Sequence, residues 1–199
     1  GLDSAVLCAW LLERHGAGSV RPVFFQYGSK HNDWEEKAAR AISAHYGLAL
    51  VSVDLSPAFR EIKSALLAAD ERPIPTAAYD ADSMAATAVP GRNLIFASVL
   101  ASFAESEGMS HIALATHGGD HHLYADCRPA FTAALAATVR ESSNGSLGVL
   151  VPFENMDKTR IVAEGLRLGV PFSLTRSCYA AGEFACGRCG TCLERLEAF

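Results

Sequence analysis

From residue 4 to residue 168, segments of helical period alternate with short apolar runs. Strands that alternate with helices pair in parallel, because each helix carries the chain back to the start of the next strand. The segments read as a helix over 4–15 stopped by Gly16, a strand over 20–26, a helix from Asp33 stopped by Gly47 and a strand over 48–54. Ser56-Pro57 opens a further helix with Pro at its first position. Residues 70–92, rich in Pro and Asp and without a period, read as a long functional loop. Helices over 93–107, 129–141 and 157–168 and strands over 111–116 and 148–151 complete the pattern. The expected fold is α/β, a parallel sheet with helices on both faces. Ligands bind such sheets beyond the carboxyl ends of the strands. That rule puts Tyr27 to His31, His117 to Arg128 and the loop reaching Arg92 on one rim.

The 199 residues, half of them hydrophobic, suit one domain with a small appendage and exclude a disordered or fibrous chain. A net charge of −5 argues against a nucleic-acid-binding surface but leaves room for a small anion in a local pocket. No apolar run approaches the roughly 18–20 residues of a membrane span, so no membrane association is expected. The opening GLDSAVLCAW has no basic segment and no cleavage site, so it is not expected to be a signal peptide, and it has no initiator Met. Cys178, Cys186, Cys189 and Cys192 fall within fifteen residues, whereas Cys8 and Cys127 stand alone. Clustered thiols without a secretion signal point to metal in a reducing compartment, which makes the cytoplasm the expected location.

Short C-x2-C loops let sulfurs converge on one ion, and four thiolates leave no open position, so the spacing favours a structural zinc. An iron–sulfur cluster and a redox C-x-x-C pair are the alternatives; the C-P continuation of ferredoxin-like runs is absent after Cys192. GLDS leads straight into a helix, where free N–H groups and the positive dipole end suit an anion; Asp3 or Ser4 serving only as a helix cap is the alternative. In VPGRN, Pro-Gly forms a turn, Arg92 offers a planar fork and Asn93 can cap the following helix. The segment from His117 to Pro129 gathers histidines, aspartates, Cys127 and Arg128 after a strand. His117, His121 and His122 lack helical ligand spacing, so a second metal is disfavoured; Cys127 reads as a small buried residue, with a nucleophile as the alternative.

The order GLDS, YG-x-x-H, VPGRN, D-x3-YxDCRPxF, K-x-x-IV, SCY and the cysteine tail resembles the 7-cyano-7-deazaguanine synthases of the queuosine pathway, from residue 1 to residue 199. The resemblance implies a Rossmann-like PP-loop ATP pyrophosphatase domain over 1–173 and a zinc-binding tail over 174–199 packed on it. The family's loop reads SGG-x-DS, so its first residues and the preceding strand are expected outside the present sequence. Gly1, Asp3 and Ser4 would belong to the loop that binds ATP phosphates, and Lys158 would meet them; Asp3, Ser4 and Lys158 are the catalytic candidates. Arg92, Asn93, Asp126 and Arg128 would form the deazaguanine pocket, with Tyr27, His31, His117 and Asp120 on the same rim. Cys178, Cys186, Cys189 and Cys192 match the zinc ligands.

The implied reaction converts 7-carboxy-7-deazaguanine, ammonia and ATP with Mg²⁺ into a nitrile, in a homodimer. Tyr27-Gly28-Ser29-Lys30-His31, then Trp34 and Glu35, stand where the family reads YGQRH followed by Glu, and Arg160 replaces a common acidic residue. Two other readings stay open: a relative that stops at the amide or uses another amine, and a non-catalytic nucleotide- or zinc-dependent module.

Overall fold

In the computed structural model, which describes residues 1–76, 80–120 and 124–199 with only the backbone of Ala81 and Asp120, helix α1 spans Leu2–His15. Its apolar stripe of Leu2, Ala5, Val6, Leu7 and Ala9 is buried, and Arg14 and His15 sit at the negative end of its dipole. Gly16 (φ 75°) ends the helix in backbone space that suits glycine. Strand β1 (Val23–Gln26) pairs in parallel with β2 (Val51–Asp54), Val23 beside Val51 and Gln26 beside Asp54. The crossover between them is helix α2 (Asn32–His45), which packs on β1. After β2 the carboxylate of Asp54 accepts the N–H of Ser56 at 2.8 Å and starts the one-turn helix α3 (Ser56–Phe59).

The expected loop 70–92 contains a helix, α4 (Ala81–Thr87). Its start is a reciprocal capping box: Asp80 accepts the N–H of Ser83 at 2.7 Å and Ser83 accepts that of Asp80 at 2.9 Å. By composition Asp82–Ser106 is long and apolar enough to be a membrane span. It is interrupted at Pro90 and Gly91, the latter at φ 70°, and helix α5 (Arg92–Ser106) has 15 residues. Fifteen residues reach about 22 Å, short of the roughly 30 Å of a bilayer core.

Two units divide the chain: residues 1–90 with 158–199, and residues 91–157. In the second unit β3 (His111–Ala113) pairs in parallel with β4 (Gly148–Leu150). Helix α5 packs on β3, and α6 (Pro129–Ser142), with Pro at its first position, packs on β4. Ala97, Ala101 and Ala104 of α5 bring it close to Ile112, Leu135, Val139 and Leu147, the buried centre of this unit. Both strand pairs are parallel with flanking helices, as the alternation of segments predicts.

The first unit closes with α7 (Lys158–Arg167) and α8 (Gly190–Ala198), a tail helix that no hydrophobic period announced. α1 and α7 run parallel, tied at one end by Lys158 to Asp3 at 2.8 Å and at the other by Arg167 to Glu13 through two bonds of 2.8 Å. Between the ties the helices meet at Gly165, where a Cβ would lie 2.8 Å from Val6 Cγ2.

Candidate active site and four-cysteine centre

The start of α1 has Gly1 as its N-cap and no side chain that accepts from its first N–H groups; Ser4 donates its hydroxyl back to the Gly1 carbonyl at 3.2 Å. Neither Asp3 nor Ser4 caps the helix. The α1 dipole therefore presents its positive end without a capping carboxylate. Asp3 turns aside to Lys158, the first residue of α7, and its second oxygen is buried without a hydrogen-bond partner. A cation at a helix N-terminus opposes the dipole, so Lys158 depends on carboxylates: Asp3 at 2.8 Å and Glu194 of α8 at 3.5 Å. An orphaned carboxylate oxygen beside a lysine at an uncapped helix start fits a magnesium-bound polyphosphate.

The YG-x-x-H segment belongs to the same unit. Tyr27 is 4% exposed and sets its ring edge-on to Phe59, with centroids 5.7 Å apart. His31, 1% exposed, tilts against Tyr179 at 5.3 Å and lies 3.5 Å from Glu35. Two of the residues that differ from the family pattern, Lys30 and Trp34, hold loops. Lys30 donates to the carbonyls of Ala65 at 2.9 Å and Arg72 at 2.6 Å. The Trp34 indole donates to the Ala181 carbonyl, and the Arg176 guanidinium, 5.4 Å from the Trp34 ring, donates to the carbonyls of Ala180, Gly182 and Glu183.

The Sγ atoms of Cys178, Cys186, Cys189 and Cys192 all lie within 4.8 Å of one another. Tetrahedral zinc with bonds of about 2.3 Å puts its sulfurs about 3.8 Å apart, so the set fits the ion. Backbone N–H groups of Ala180 and Cys186 donate to Cys178 Sγ at 3.3 and 3.2 Å, and Cys189 donates to Cys186 Sγ at 3.4 Å. Such bonds offset thiolate charge and orient the ligands. Burial pulls the Cys186 thiol up, but the N–H groups of Arg188 and Cys189 and the adjacent thiols outweigh it and hold it at about 6. Burial pushes Cys189 and Cys192 up. A dication overrides that reluctance and makes all four thiolates. With four protein ligands and no open position, the zinc site is structural.

The second unit joins two sequence motifs that lie 33 residues apart. Asn93 donates its backbone N–H to the Asp126 carboxylate at 3.3 Å and its side-chain amide to the Asp126 carbonyl at 3.3 Å and Cys127 Sγ at 3.6 Å. Asp126 thus satisfies the first turn of α5 from a distance. Asn93 does not cap that helix, whose N-cap is Gly91. Cys127 is buried at 5% exposure. Arg128 stands exposed as the N-cap of α6, and Arg92 is half-buried at the start of α5. His117 is 1% exposed, and the Gly118 N–H donates to the Met156 carbonyl at 2.8 Å. Any Cβ on Gly118 would stand 3.0 Å from that carbonyl oxygen, so glycine permits the approach. The backbone of Asp120 ends the short turn Gly118–Asp120, while His121 and His122 lie outside the described residues.

A glycine-started helix beside a held lysine, on a parallel α/β frame with a structural zinc, is the frame of the PP-loop enzymes that use ATP. The whole sequence narrows the class. The family model of "Queuosine biosynthesis protein QueC" matches residues 1–199, and the chain belongs to that family of ATP-dependent ligases. The chain is 38% identical over 199 residues to the "7-cyano-7-deazaguanine synthase" of Marinobacter nauticus, covering all of this chain and 88% of the relative. It is likewise 38% identical over 198 residues to the enzyme of that name from Desulfotalea psychrophila, covering 100% and 89%. The enzyme of Methanoregula boonei is 37% identical over 204 residues, covering 100% and 90%.

Proposed function

We propose that this ligase converts 7-carboxy-7-deazaguanine and ammonia to 7-cyano-7-deazaguanine, using two ATP and releasing two AMP and two pyrophosphate. The observation that carries it is the full-length likeness to enzymes named for that product. The Lys158–Asp3 pair at the start of α1 supports the nucleotide half of the reading.

A carboxylate is a poor electrophile. Its oxygen attacks the α-phosphorus of ATP, pyrophosphate leaves, and ammonia displaces AMP from the acyl adenylate to give the amide. The amide oxygen then attacks a second ATP; loss of AMP and of the nitrogen-bound protons leaves the nitrile. The chain's work is positioning and charge stabilisation. Gly1 and Ser4 offer backbone N–H groups to phosphate oxygens, Lys158 neutralises the departing pyrophosphate, and Asp3 would hold the Mg²⁺ of ATP, which would offset phosphate charge. Arg128 presents its guanidinium fork to the substrate, while Asn93 and Asp126 hold the segment that carries it. Arg92 adds a second cation at the start of α5. Tyr27 and His31 of the first unit, and His117 and Asp120 of the second, are the further substrate-binding residues of this reading. The protein acts as a homodimer in the cytoplasm, its nucleotide domain over 1–173 carrying the zinc tail 174–199.

Mass analysis of the product from 7-carboxy-7-deazaguanine, ATP and ammonium tests this reading. The nitrile is expected; an accumulated amide or an adduct with another amine contradicts it, and absence of any ATP-dependent product favours the non-catalytic module.

A further inference from the structure

We propose that Glu194, on the helix nucleated by the zinc site, is a positioning residue that fixes Lys158 for the phosphates. The inference rests on the reading of Lys158 as the phosphate-facing cation. Helix α8 takes zinc ligand Cys189 as its N-cap and carries ligand Cys192 in its first turn. The N–H groups of Cys192 and Leu193 both donate to the Cys189 carbonyl, at 2.9 and 3.1 Å. A metal that fixes two sulfurs of one turn therefore fixes the direction of everything that follows on the helix.

The next residues lock its rotation. Arg195 donates to Thr175 Oγ1 at 2.7 Å and to the Phe172 carbonyl at 3.0 Å, and Phe199 meets the Phe172 ring edge-on at 5.0 Å. Glu194 is delivered from this anchored helix to within 3.5 Å of Lys158 Nζ. Lys158, Asp3 and Glu194 have side chains 13%, 25% and 24% exposed, so the trio is shielded more than a surface ion pair is. A lysine is a point charge on a flexible stem, and one partner leaves it free to swing about that partner. Carboxylates on two separate helices, α1 and α8, define its place. The zinc module thereby contributes to the phosphate site while lending it no ligand.

The sign of the effect separates positioning from simple charge. Removing a carboxylate near a polyphosphate site would strengthen nucleotide binding if charge alone mattered. Losing a positioning contact weakens turnover instead. Glu194→Gln, Glu194→Asp and Lys158→Ala are compared for zinc content, melting temperature, affinity for a non-hydrolysable ATP analogue, and AMP release. Glu194→Gln is expected to keep its zinc and melting temperature, lose about tenfold in AMP release and bind the analogue more weakly, with Glu194→Asp recovering most of both. Wild-type or tighter binding with normal turnover in Glu194→Gln overturns the proposal. So does a melting temperature that falls in step with activity and that Glu194→Asp does not restore. If Lys158→Ala is inactive while Glu194→Gln behaves as wild type, the positioning role alone fails. If Lys158→Ala still releases AMP normally, the phosphate reading of Lys158 fails first.

Discussion

On the proposed reading, Arg128 and Asn93 divide the labour of the second unit between contact and support. Asn93 is occupied by Asp126 and Cys127, so it holds the DCRP segment in place. Arg128 is exposed at the start of α6, where a planar fork can meet an anion or a base edge. Lysine would keep the charge and lose the paired geometry. Arg128→Lys should therefore weaken use of the deazaguanine substrate by about 1–3 kcal/mol, the worth of a charge-assisted hydrogen bond. Arg128 is the N-cap of α6, but its side chain makes no capping bond there and lysine keeps the charge, so the melting temperature should hold. Steady-state kinetics with both substrates varied, beside a melting curve, separates the two. Normal kinetics with an early melt would make Arg128 an internal tie.

The pairing of α1 with α7 shows what two elements contribute that single residues do not. Lys158 meets Asp3 only because the helices lie parallel and in register, held at Gly165 and at the Glu13–Arg167 fork. A methyl at Gly165 would collide with Val6 and the Phe172 ring. Gly165→Ala should cost about 1–3 kcal/mol by overpacking, read as a lowered denaturation midpoint at unchanged slope. An unchanged midpoint would mean the helices part freely.

Zinc binding ties the order of helix α8 to pH. Burial raises the thiols of Cys189 and Cys192, and zinc keeps them as thiolates, so their folded pKa in the metal-bound state is depressed. The stability that zinc adds is thus present at neutral pH and lost on acidification. Zinc affinity, measured by chelator competition, should fall steadily from pH 8 to pH 5, and metal-free protein should lose the order of α8. A pH-independent affinity would contradict this.

Legibility in the sequence follows the range of the interactions. The alternation of helix and strand and the four-cysteine spacing depend on near neighbours, so both could be read directly. Helix α4 was hidden because its seven residues show no period, although Asp80 and Ser83 of its capping box were there to be read. Helix α8 was hidden behind its own cysteines, whose spacing announces metal rather than a helical stripe. The Asn93–Asp126 tie, 33 residues apart, and the Glu13–Arg167 fork, 154 apart, leave no local trace. Glu194 was missed for the same reason: its partner Lys158 lies on another helix. Lys30 and Trp34, conspicuous as departures from the family pattern, hold loops through backbone carbonyls.

Membership of the QueC family and the lysine held beside the start of α1 lead to one chemical claim: each carboxylate oxygen leaves the substrate on an AMP. The most direct test uses 7-carboxy-7-deazaguanine labelled with ¹⁸O at both carboxylate oxygens, with ammonium and excess ATP. The account predicts an unlabelled nitrile and two AMP per nitrile, each carrying one ¹⁸O. Label retained in the product with a single labelled AMP, or label found in inorganic phosphate, would contradict it.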